Sequence, residues 1–252
     1  MQGKTVIITG ATSGIGEVAA VRLAEQGARI VFTARDAARA SDTMAALRKA
    51  NPKVDHAVHM ADLSRLSEMK RVGAELAREP EIDALVNNAG IYEGVADNAP
   101  DEEWHGAWHR TLTINLQAAA DLCRLAVSHF LDRGVGGRIV NIASRAAYRG
   151  DSPQHWHYAA SKAAMVGMTK TIARGYAGEG ILCFGVAPGF TVSEMTADYL
   201  QGRGGAQIVA DIPLGRVAST DEVAEVIRWL ATEAPASATG SVIDVNGASY
   251  VR

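Results

Sequence analysis

The stretch TVIITGATSGIG, residues 5–16, decides the fold. Its first five residues are all β-branched, which is typical of a buried strand, and three glycines follow where a helical pattern begins. Gly10, Gly14 and Gly16 would let the backbone pass close to a pyrophosphate, an anion that the N-terminus of the next helix favours. The spacing is GxxxGxG, not the commoner GxGxxG, so a turn that serves only tight packing explains this stretch alone equally well.

Strand-like and helix-like segments alternate from this stretch to the C-terminus. Further runs that indicate strands cover residues 29–33, 56–60, 84–87, 138–143, 181–187 and 241–245. Several are apolar almost throughout, as strands buried on both faces of a parallel sheet should be. The order predicts a single α/β domain over residues 1–252, with a Rossmann-type doubly wound parallel sheet of about seven strands and helices on both faces.

Composition excludes several classes of protein. The 252 residues are 48% hydrophobic and 21% charged, with a formal net charge of -3, which gives no field to attract nucleic acid or an acidic membrane. Cys123 and Cys183, 60 residues apart, form neither a disulfide framework nor a CxxC pair. Without a signal-peptide pattern or a long apolar run, we expect a cytoplasmic protein whose partner is a small molecule.

The second predicted strand leads to two residues that could choose between cofactors. An arginine at this place would pair with the 2'-phosphate of NADP, and a carboxylate would bind the 2'-hydroxyl of NAD. We interpret Arg35 as the phosphate-binding residue, since it comes first after the strand; a solvated loop arginine is the alternative. Asp36 lies 20 residues beyond Gly16, as the NAD acid would, but is more simply the N-cap of a helix.

The sequence YAASK, residues 158–162, places Tyr158 and Lys162 on one face of a helix. A nearby cation would lower the pKa of a phenol and allow it to exchange protons at neutral pH. Taken alone, such a pair usually means a half-buried aromatic ring beside a solvated lysine. Ser144, at the end of the apolar run 138–143, could bind the reacting oxygen. Asn115 lies inside a helical pattern, where it could bend the helix or hold a water in a proton path.

Six motifs occur in the order seen in the short-chain dehydrogenase/reductase family. They are TGATSGIG, NNAG at residues 87–90, Asn115, Ser144, YAASK and APGF at residues 187–190. The chain resembles this family from residue 4 to its end, and its C-terminal segment resembles the 3-oxoacyl-[acyl-carrier-protein] reductases. The resemblance implies a nicotinamide cofactor, Tyr158 as the acid/base and Lys162 as the cation that lowers its pKa. It also implies that Ser144 binds the substrate oxygen and that Asn115 maintains the proton relay.

The same resemblance implies contacts to NADP(H), with NAD as the alternative. The expected contacts are Gly10, Thr12, Ser13, Gly14, Ile15, Gly16, Arg35, Asp62, Leu63, Asn88, Ala89, Gly90, Tyr158, Lys162, Pro188, Gly189, Thr191 and Ser193. Asp62 would lie near the adenine, although a helix cap ahead of LSRLSEMK is a simpler role. Thr191 and Ser193 could equally be turn hydroxyls, and the family more often has threonine at the place of Ser193.

Two further segments have ambiguous patterns. His105 and His109, with His155 and His157, lack the carboxylate or cysteine that would complete a metal site, so no metal is expected. The residues 155–157 are expected to line the substrate mouth, and Trp104 and Trp108 to pack between helices. The segment 194–213 is long for a connection, and we expect a substrate lid in which Met195, Tyr199, Leu200 and Ile208 face the substrate; a surface loop is the alternative.

The leading hypothesis is an NADP(H)-dependent oxidoreductase that interconverts a ketone and a secondary alcohol, with carbonyl reduction as the expected direction. An NAD-dependent alcohol dehydrogenase of the same family is one alternative. A dinucleotide-binding regulator without catalysis is another, but such proteins typically lose the Tyr or the Lys. Acyl thioesters are one substrate option, and Arg133 and Arg174 could meet an acidic carrier. The resemblance also implies a homotetramer, in which the helices near Asn115 and Tyr158 pack across a two-fold axis.

Overall fold

Seven strands form one parallel sheet in the computed structural model, which describes residues 1–192 and 205–252. The strands are β1 (Thr5–Thr9), β2 (Arg29–Ala34), β3 (Ala57–Met60), β4 (Ala84–Asn87), β5 (Gly137–Ile142), β6 (Ile181–Pro188) and β7 (Val242–Val245). They lie in the order β3-β2-β1-β4-β5-β6-β7. The predicted doubly wound sheet is therefore confirmed, and no strand end differs from its predicted position by more than one residue.

Helices pack on both faces of the sheet. They are α1 (Gly14–Glu25), α2 (Ala37–Ala50), α3 (Leu66–Leu76), α4 (Asp101–Leu112), α5 (Ala118–Arg133), α6 (Ala146–Arg149), α7 (Trp156–Tyr176), α8 (Gly205–Ala210) and α9 (Thr220–Thr232). A π-helical turn, Thr113–Gln117, joins α4 directly to α5. Among the described residues, no helix combines the length and the apolar character that crossing a bilayer requires.

The hydrophobic core has one layer on each face of the sheet. Successive strand residues point to opposite faces. Ile8 accordingly packs with residues of α1, α2 and α9, and its neighbour Ile7 packs with residues of α3, α5 and α7. Both layers are built from fully buried side chains such as Phe32 on the first face and Ile139 on the second. Burial on both faces explains why the strand sequences are apolar throughout instead of alternating.

The order of the strands reverses beside β1. The chain runs outward from β1 to β2 and β3 on one side, and then returns to place β4 on the other side of β1. The loops that leave the carboxyl ends of β1 and β4 therefore diverge, and a crevice opens between them, as expected at a topological switch point. Residues 51–55 lie before β3, at the amino ends of the strands, and do not border this crevice.

Candidate active site

A cleft of about 1150 Å³ opens at the carboxyl ends of the strands. Most of the predicted site residues line it: Gly10, Thr12, Ser13, Gly14, Ile15, Arg35, Asp62, Leu63, Asn88, Ala89, Gly90, Ser144, Tyr158, Lys162, Pro188, Gly189 and Thr191. Two predicted residues, Gly16 and Asn115, lie behind its wall instead. Ser193 lies outside the described residues. The fold thus brings together segments that follow six different strands.

The glycine turn after β1 needs its glycines for two reasons. Gly10 has a φ of 64° and Gly14 one of 57°, a left-handed conformation that other residues rarely adopt. A Cβ atom on Gly16 would lie only 2.2 Å from the carbonyl oxygen of Gly10, so this glycine permits α1 to pack tightly on the turn. Gly16 therefore serves packing, and its expected contact to a ligand stays a prediction.

The loop after β4 is hydrogen-bonded to the end of β1. The Thr9 Oγ1 atom accepts from the backbone N–H groups of Asn88, at 3.1 Å, and Ala89, at 3.0 Å. The Asn88 side chain donates in turn to the carbonyl oxygen of Gly10, at 2.8 Å. We call this the Thr9–Asn88 clasp. It fixes the two loops that border the crevice relative to each other.

The segment after β2 separates the two cofactor interpretations. Ala34 ends the strand and Arg35, exposed at the cleft, comes first beyond it, as predicted. The Asp36 carboxylate accepts from the backbone N–H of Arg39 at 2.8 Å and is the N-cap of α2, which confirms the simpler role. Since this carboxylate is already engaged, Arg35 is the better candidate to read the ribose substituent.

Asp62 does not cap a helix. Its Oδ1 atom accepts from the backbone N–H of Ser64 at 2.9 Å and from the Ser64 hydroxyl at 2.7 Å, while α3 begins only at Leu66. These two hydrogen bonds are the main reason why the pKa of Asp62 is lowered, and the charge of Arg35 adds to the effect. The expected helix cap is therefore wrong. The carboxylate is held ionised in a turn that lines the cleft.

Ser144, Tyr158 and Lys162 meet where β5 ends and α7 begins. Ser144 lies two residues beyond β5 and accepts from the backbone N–H of Ala146 at 3.1 Å, and its hydroxyl is close enough to that of Tyr158 to lower the Tyr158 pKa. Lys162 lies one helical turn from Tyr158, with Nζ 5.8 Å from the centre of its ring. Its Nζ atom donates to the carbonyl oxygen of Ile142 at 2.7 Å. A hydroxyl pair and a buried amine therefore share one wall of the cleft.

Burial controls the ionisation of both groups in this structure. It raises the pKa of Tyr158 to about 12, against the smaller opposing effect of the Ser144 hydrogen bond. Burial also lowers the pKa of Lys162 to about 8. We expected the ammonium group to lower the pKa of Tyr158, and the direction is the opposite, because the cost of a buried phenolate is the largest effect and the charge of Asp151 adds to it. Tyr158 keeps part of its surface open to the cleft, which moderates this cost.

Asn115 supports the cleft from behind. It lies, fully buried, in the π-helical turn, so the regular helix is interrupted at this residue. Its Oδ1 atom accepts from the backbone N–H of Ile91 at 2.8 Å, and its Nδ2 atom donates to the carbonyl oxygen of Ile91 at 3.0 Å. A Cβ atom on Gly90 would lie 3.3 Å from this Oδ1 and 3.5 Å from Lys162 Nζ. Asn115 therefore holds the NNAG loop beside Lys162.

Sequence reasoning missed Tyr92. Its ring meets that of Tyr158 edge-on with centroids 4.8 Å apart, and stacks on the ring of His155 at 4.0 Å. The Tyr92 hydroxyl donates to Asp151 at 3.0 Å. Its place two residues after the NNAG motif is the only signal that pointed to it. Arg145 and Arg149, which also line the cleft, were not singled out from the sequence, and Asp211 was covered only as part of the expected lid.

The expectation for residues 155–157 is wrong. His155, Trp156 and His157 are absent from the walls of the cleft. His155 and His157 are buried, and Trp156 packs edge-on against Trp104 with centroids 5.3 Å apart. Trp104 and Trp108 pack together between helices, as expected. The reason is that α7 starts at Trp156, so Trp156 and His157 face α4, while the ring of His155 stacks on Tyr92.

Only part of the expected lid can be assessed. Residues 194–204, with Met195, Tyr199 and Leu200, lie outside the described residues. In the described part, α8 places Gln207 and Ile208 on the wall of the cleft, and the expectation that Ile208 faces the substrate stays a prediction.

A protein-family model described as short chain dehydrogenase matches residues 4–204. The protein belongs to the short-chain dehydrogenase/reductase family. This short-chain dehydrogenase is 34% identical over 250 residues to the 3-oxoacyl-[acyl-carrier-protein] reductase FabG of Thermotoga maritima, with 98% of each chain covered. It is 32% identical over 260 residues to the (3R)-3-hydroxyacyl-CoA dehydrogenase of Rattus norvegicus, covering 100% of this chain and 98% of that one.

Solved structures resemble this short-chain dehydrogenase over its whole length. One is a Beutenbergia cavernae protein, provisionally described as an NAD(P)-dependent gluconate 5-dehydrogenase, with NADP bound at low occupancy. It superposes with a TM-score of 0.89 at 34% identity and covers 98% of this chain and 96% of its own. Family membership makes the short-chain dehydrogenase an oxidoreductase that acts on CH–OH or C=O groups.

Proposed function

We propose that the protein is an NADP(H)-dependent carbonyl reductase that interconverts a ketone and a secondary alcohol. The observation that carries this proposal is that the Ser144 and Tyr158 hydroxyls lie together at the wall of the cleft, with the Lys162 amine buried one helical turn away. A regulator without catalysis would have no use for this arrangement. The names of the relatives, which are ketoreductases and hydroxyacyl dehydrogenases, support the same class of reaction.

The residues of the cleft fit a nicotinamide dinucleotide, which when bound supplies or accepts a hydride. The left-handed turn at Gly10 and Gly14 leaves the N-terminus of α1 free to receive a pyrophosphate. Asp62, Asn88, Ala89 and Gly90 would border the nucleotide, and Pro188, Gly189 and Thr191 would hold its other end. Arg35 would pair with the 2'-phosphate, which favours NADP over NAD.

Cofactor choice is tested with Arg35→Gln. Loss of the guanidinium should lower kcat/KM for NADPH by about 10- to 100-fold and change the value for NADH by less than about threefold, because only NADPH carries the phosphate. Steady-state kinetics with both cofactors measures this. Arg48→Gln, an exposed position on α2, is the matched control and should change neither value. An NADH preference in the unmodified protein would contradict the assignment.

The ionisation of Tyr158 favours the reductive direction. With its pKa raised to about 12 by burial, the hydroxyl is protonated at neutral pH. It can then donate its proton to a carbonyl oxygen that is becoming an alkoxide, which is the stronger base. The Ser144 hydroxyl can hydrogen-bond to the same oxygen as its charge develops. Lys162, when protonated, would stabilise the phenolate that remains and would bind the nicotinamide ribose.

Tyr158→Phe tests the role of the hydroxyl. The ring and its contact with Tyr92 remain in this variant, while the proton donor is lost. We expect kcat to fall by at least about 10²- to 10⁴-fold, with the Kd for NADPH within about twofold of the original. Stopped-flow turnover and fluorescence titration of NADPH measure the two quantities. Retained turnover would reject the mechanism.

The substrate class proposed from the relatives includes 3-oxoacyl thioesters. An acidic carrier could dock on Arg174, which is exposed, whereas Arg133 already donates to the carbonyl oxygen of Ile82 at 2.7 Å. Docking through both arginines is therefore less well supported than docking through one. A screen of ketones that follows NADPH absorbance, beginning with a 3-oxoacyl thioester, identifies the class.

The proposed assembly is a homotetramer and the proposed location is the cytoplasm. The outer face of α7 supports close packing of a second copy, because it exposes only small side chains over two turns: Ala160, Ala163, Ala164 and Gly167. Both cysteines are free and buried, which fits a reducing compartment. The segment 194–213 remains the proposed substrate lid, and residues 1–252 the proposed single domain.

A further inference from the structure

Arg145 is the cationic residue closest in sequence to the hydroxyl pair. It directly follows Ser144, and its backbone N–H donates to the carbonyl oxygen of Pro188 at 2.9 Å. The residue is therefore fixed between the ends of β5 and β6, and its side chain lines the cleft. The ring of Phe190 lies beneath the guanidinium, with the carbon Cζ 5.0 Å from the ring centre. Such a stacked guanidinium has few orientations left.

One nitrogen of the Arg145 guanidinium has no hydrogen-bond acceptor among the described residues. Its side chain is only 11% exposed, and its Nη1 atom is buried without a hydrogen-bond partner among the described residues. The nearest carboxylate oxygen, Asp211 Oδ2, is 3.9 Å away, too far for a hydrogen bond. Buried donors are usually paired, and among the unpartnered buried atoms of the described residues this one belongs to a charged residue that lines the cleft, where a ligand could supply the acceptor.

The carboxylates nearby already have other donors. Asp211 accepts from Arg149 at 2.7 Å, and Arg149 also donates to the carbonyl oxygen of Ser249 at 3.1 Å. Asp151 accepts from the Tyr92 hydroxyl at 3.0 Å and from the Ser152 N–H. A third acid of the cleft, Glu93, is paired with Arg110 through Nε at 2.9 Å. Near these acids, Arg145 is therefore the cation that has no carboxylate within hydrogen-bonding distance among the described residues.

We propose that Arg145 binds a carboxylate of the substrate, so that the natural substrates are an oxo acid and the matching hydroxy acid. The planar guanidinium matches a carboxylate and forms strong charge-assisted hydrogen bonds with it. Asp151, Asp211 and Glu93 balance the charges of Arg145, Arg149 and Arg110, so a substrate carboxylate would add one negative charge to a nearly neutral group of side chains. This inference deepens the proposed function and rests on it.

Matched pairs of ketones test the inference. Oxo acids with the ketone at positions 2 to 6 are compared with their methyl esters under NADPH, and the pairs with a distant ketone isolate the effect of the carboxylate charge because the ester group there does not activate the ketone. In the unmodified protein, kcat/KM should favour at least one acid over its ester by about 10- to 100-fold. Equal or better activity with every ester, or with a neutral 3-oxoacyl thioester, overturns the inference and leaves the reductase intact.

Substitution of Arg145 locates the preference. Arg145→Gln should reduce the acid-to-ester ratio to about 1 while kcat/KM for the ester stays within about threefold, and Arg145→Lys should keep part of the ratio because it keeps the charge. Thermal unfolding checks that each variant is folded. A uniform loss for acid and ester, or a loss of preference in Arg149→Gln with none in Arg145→Gln, contradicts the assignment.

Binding without turnover separates this inference from the proposed function. Calorimetry with NADPH-loaded protein uses hexanoate and its methyl ester as unreactive probes. Hexanoate should bind to the unmodified protein at least about tenfold more tightly than to Arg145→Gln, and the ester should bind equally to both. If no ketone is reduced but this difference is found, the carboxylate site stands and the proposed reaction fails. If ketones are reduced and the difference is absent, the carboxylate site fails.

Discussion

Lys162 is an amine placed where the fold disfavours its charge. It is 4% exposed, and burial lowers its pKa from 10.5 to about 8. Its one hydrogen bond to Ile142 does not restore the hydration that it loses. A shift of this size corresponds to about 3 kcal/mol of unfavourable free energy for the protonated folded state at neutral pH. A residue kept at such a cost is typical of a site that serves chemistry.

Lys162→Met should therefore stabilise the fold while activity is lost. We expect the free energy of unfolding to rise by about 1–3 kcal/mol at pH 7. Removal of the buried charge is favourable, and loss of the hydrogen bond to Ile142 offsets part of that gain. Between pH 8 and 10.5 the unfolded protein binds more protons than the folded one, so the original protein gains stability with pH and the difference shrinks.

Urea unfolding of both proteins at pH 7 and pH 9.5 measures this difference. Lys170→Met, on the exposed face of α7, is the control and should show no such dependence on pH. A Lys162→Met variant that is less stable than the original at pH 7 would show that the amine is not a burden on the fold.

At the residue scale, the sequence predicted which side chains meet and not how they ionise. The i, i+4 spacing placed Tyr158 and Lys162 on one face, because helix geometry alone determines it. The sign of the Tyr158 pKa shift depends on burial by Tyr92, Ser144 and other residues distant in the chain. Spacing cannot report that burial. That Arg145 Nη1 lacks a partner could not be predicted for the same reason, because it also depends on residues distant in the chain.

At the scale of elements, the π-helical turn between α4 and α5 places Asn115. The turn inserts one extra residue into an otherwise continuous helix, so the side chains before and after it face different neighbours. Asn115 thereby faces the backbone of Ile91, and Leu122 still faces the core. The sequence predicted a distortion at an asparagine. It could not predict that the amide would pair with a loop 24 residues away.

The N-cap of α2 offers a test at this scale. Asp36→Ala removes the acceptor for the Arg39 N–H and should lower the free energy of unfolding by about 1 kcal/mol, which a thermal melt detects. Because the structure assigns this carboxylate to the helix, kcat/KM with NADH and NADPH should each change by less than about twofold. Asp42→Ala, exposed on the same helix, should leave the melting temperature within about a degree. A selective loss of kcat/KM with NADH would show that Asp36 contacts the cofactor.

At the scale of the whole molecule, the strand order makes neighbours of β1 and β4, although two other strands separate them in the chain. The alternating pattern predicted this sheet, since right-handed crossovers leave few other arrangements. It also predicted that the site would lie at the carboxyl ends of the strands. The shape of the cleft could not be predicted, because its walls combine Tyr92, Arg149 and Asp211 from three separate loops and helices.

Assembly belongs to the same scale. We expect light scattering at micromolar concentration to give four times the mass of the 26.6 kDa chain. Ala164→Glu, which places a charge on the small-residue face of α7, should shift the mass to that of a smaller species, because the charge would be buried unpaired. Lys170→Glu on the same helix is the matched control. A monomeric original protein would refute the tetramer.

The Thr9–Asn88 clasp fixes the dinucleotide half of the cleft through hydrogen bonds within the protein. Its hydrogen bonds join β1 to the loop after β4 without involving Arg145, Tyr92 or Asp211. Mutations that reshape the opposite wall would therefore leave the dinucleotide half undisturbed. Substitutions in the substrate-facing wall can therefore change which ketones are accepted, in evolution or in engineering, while the residues that would bind the dinucleotide stay the same.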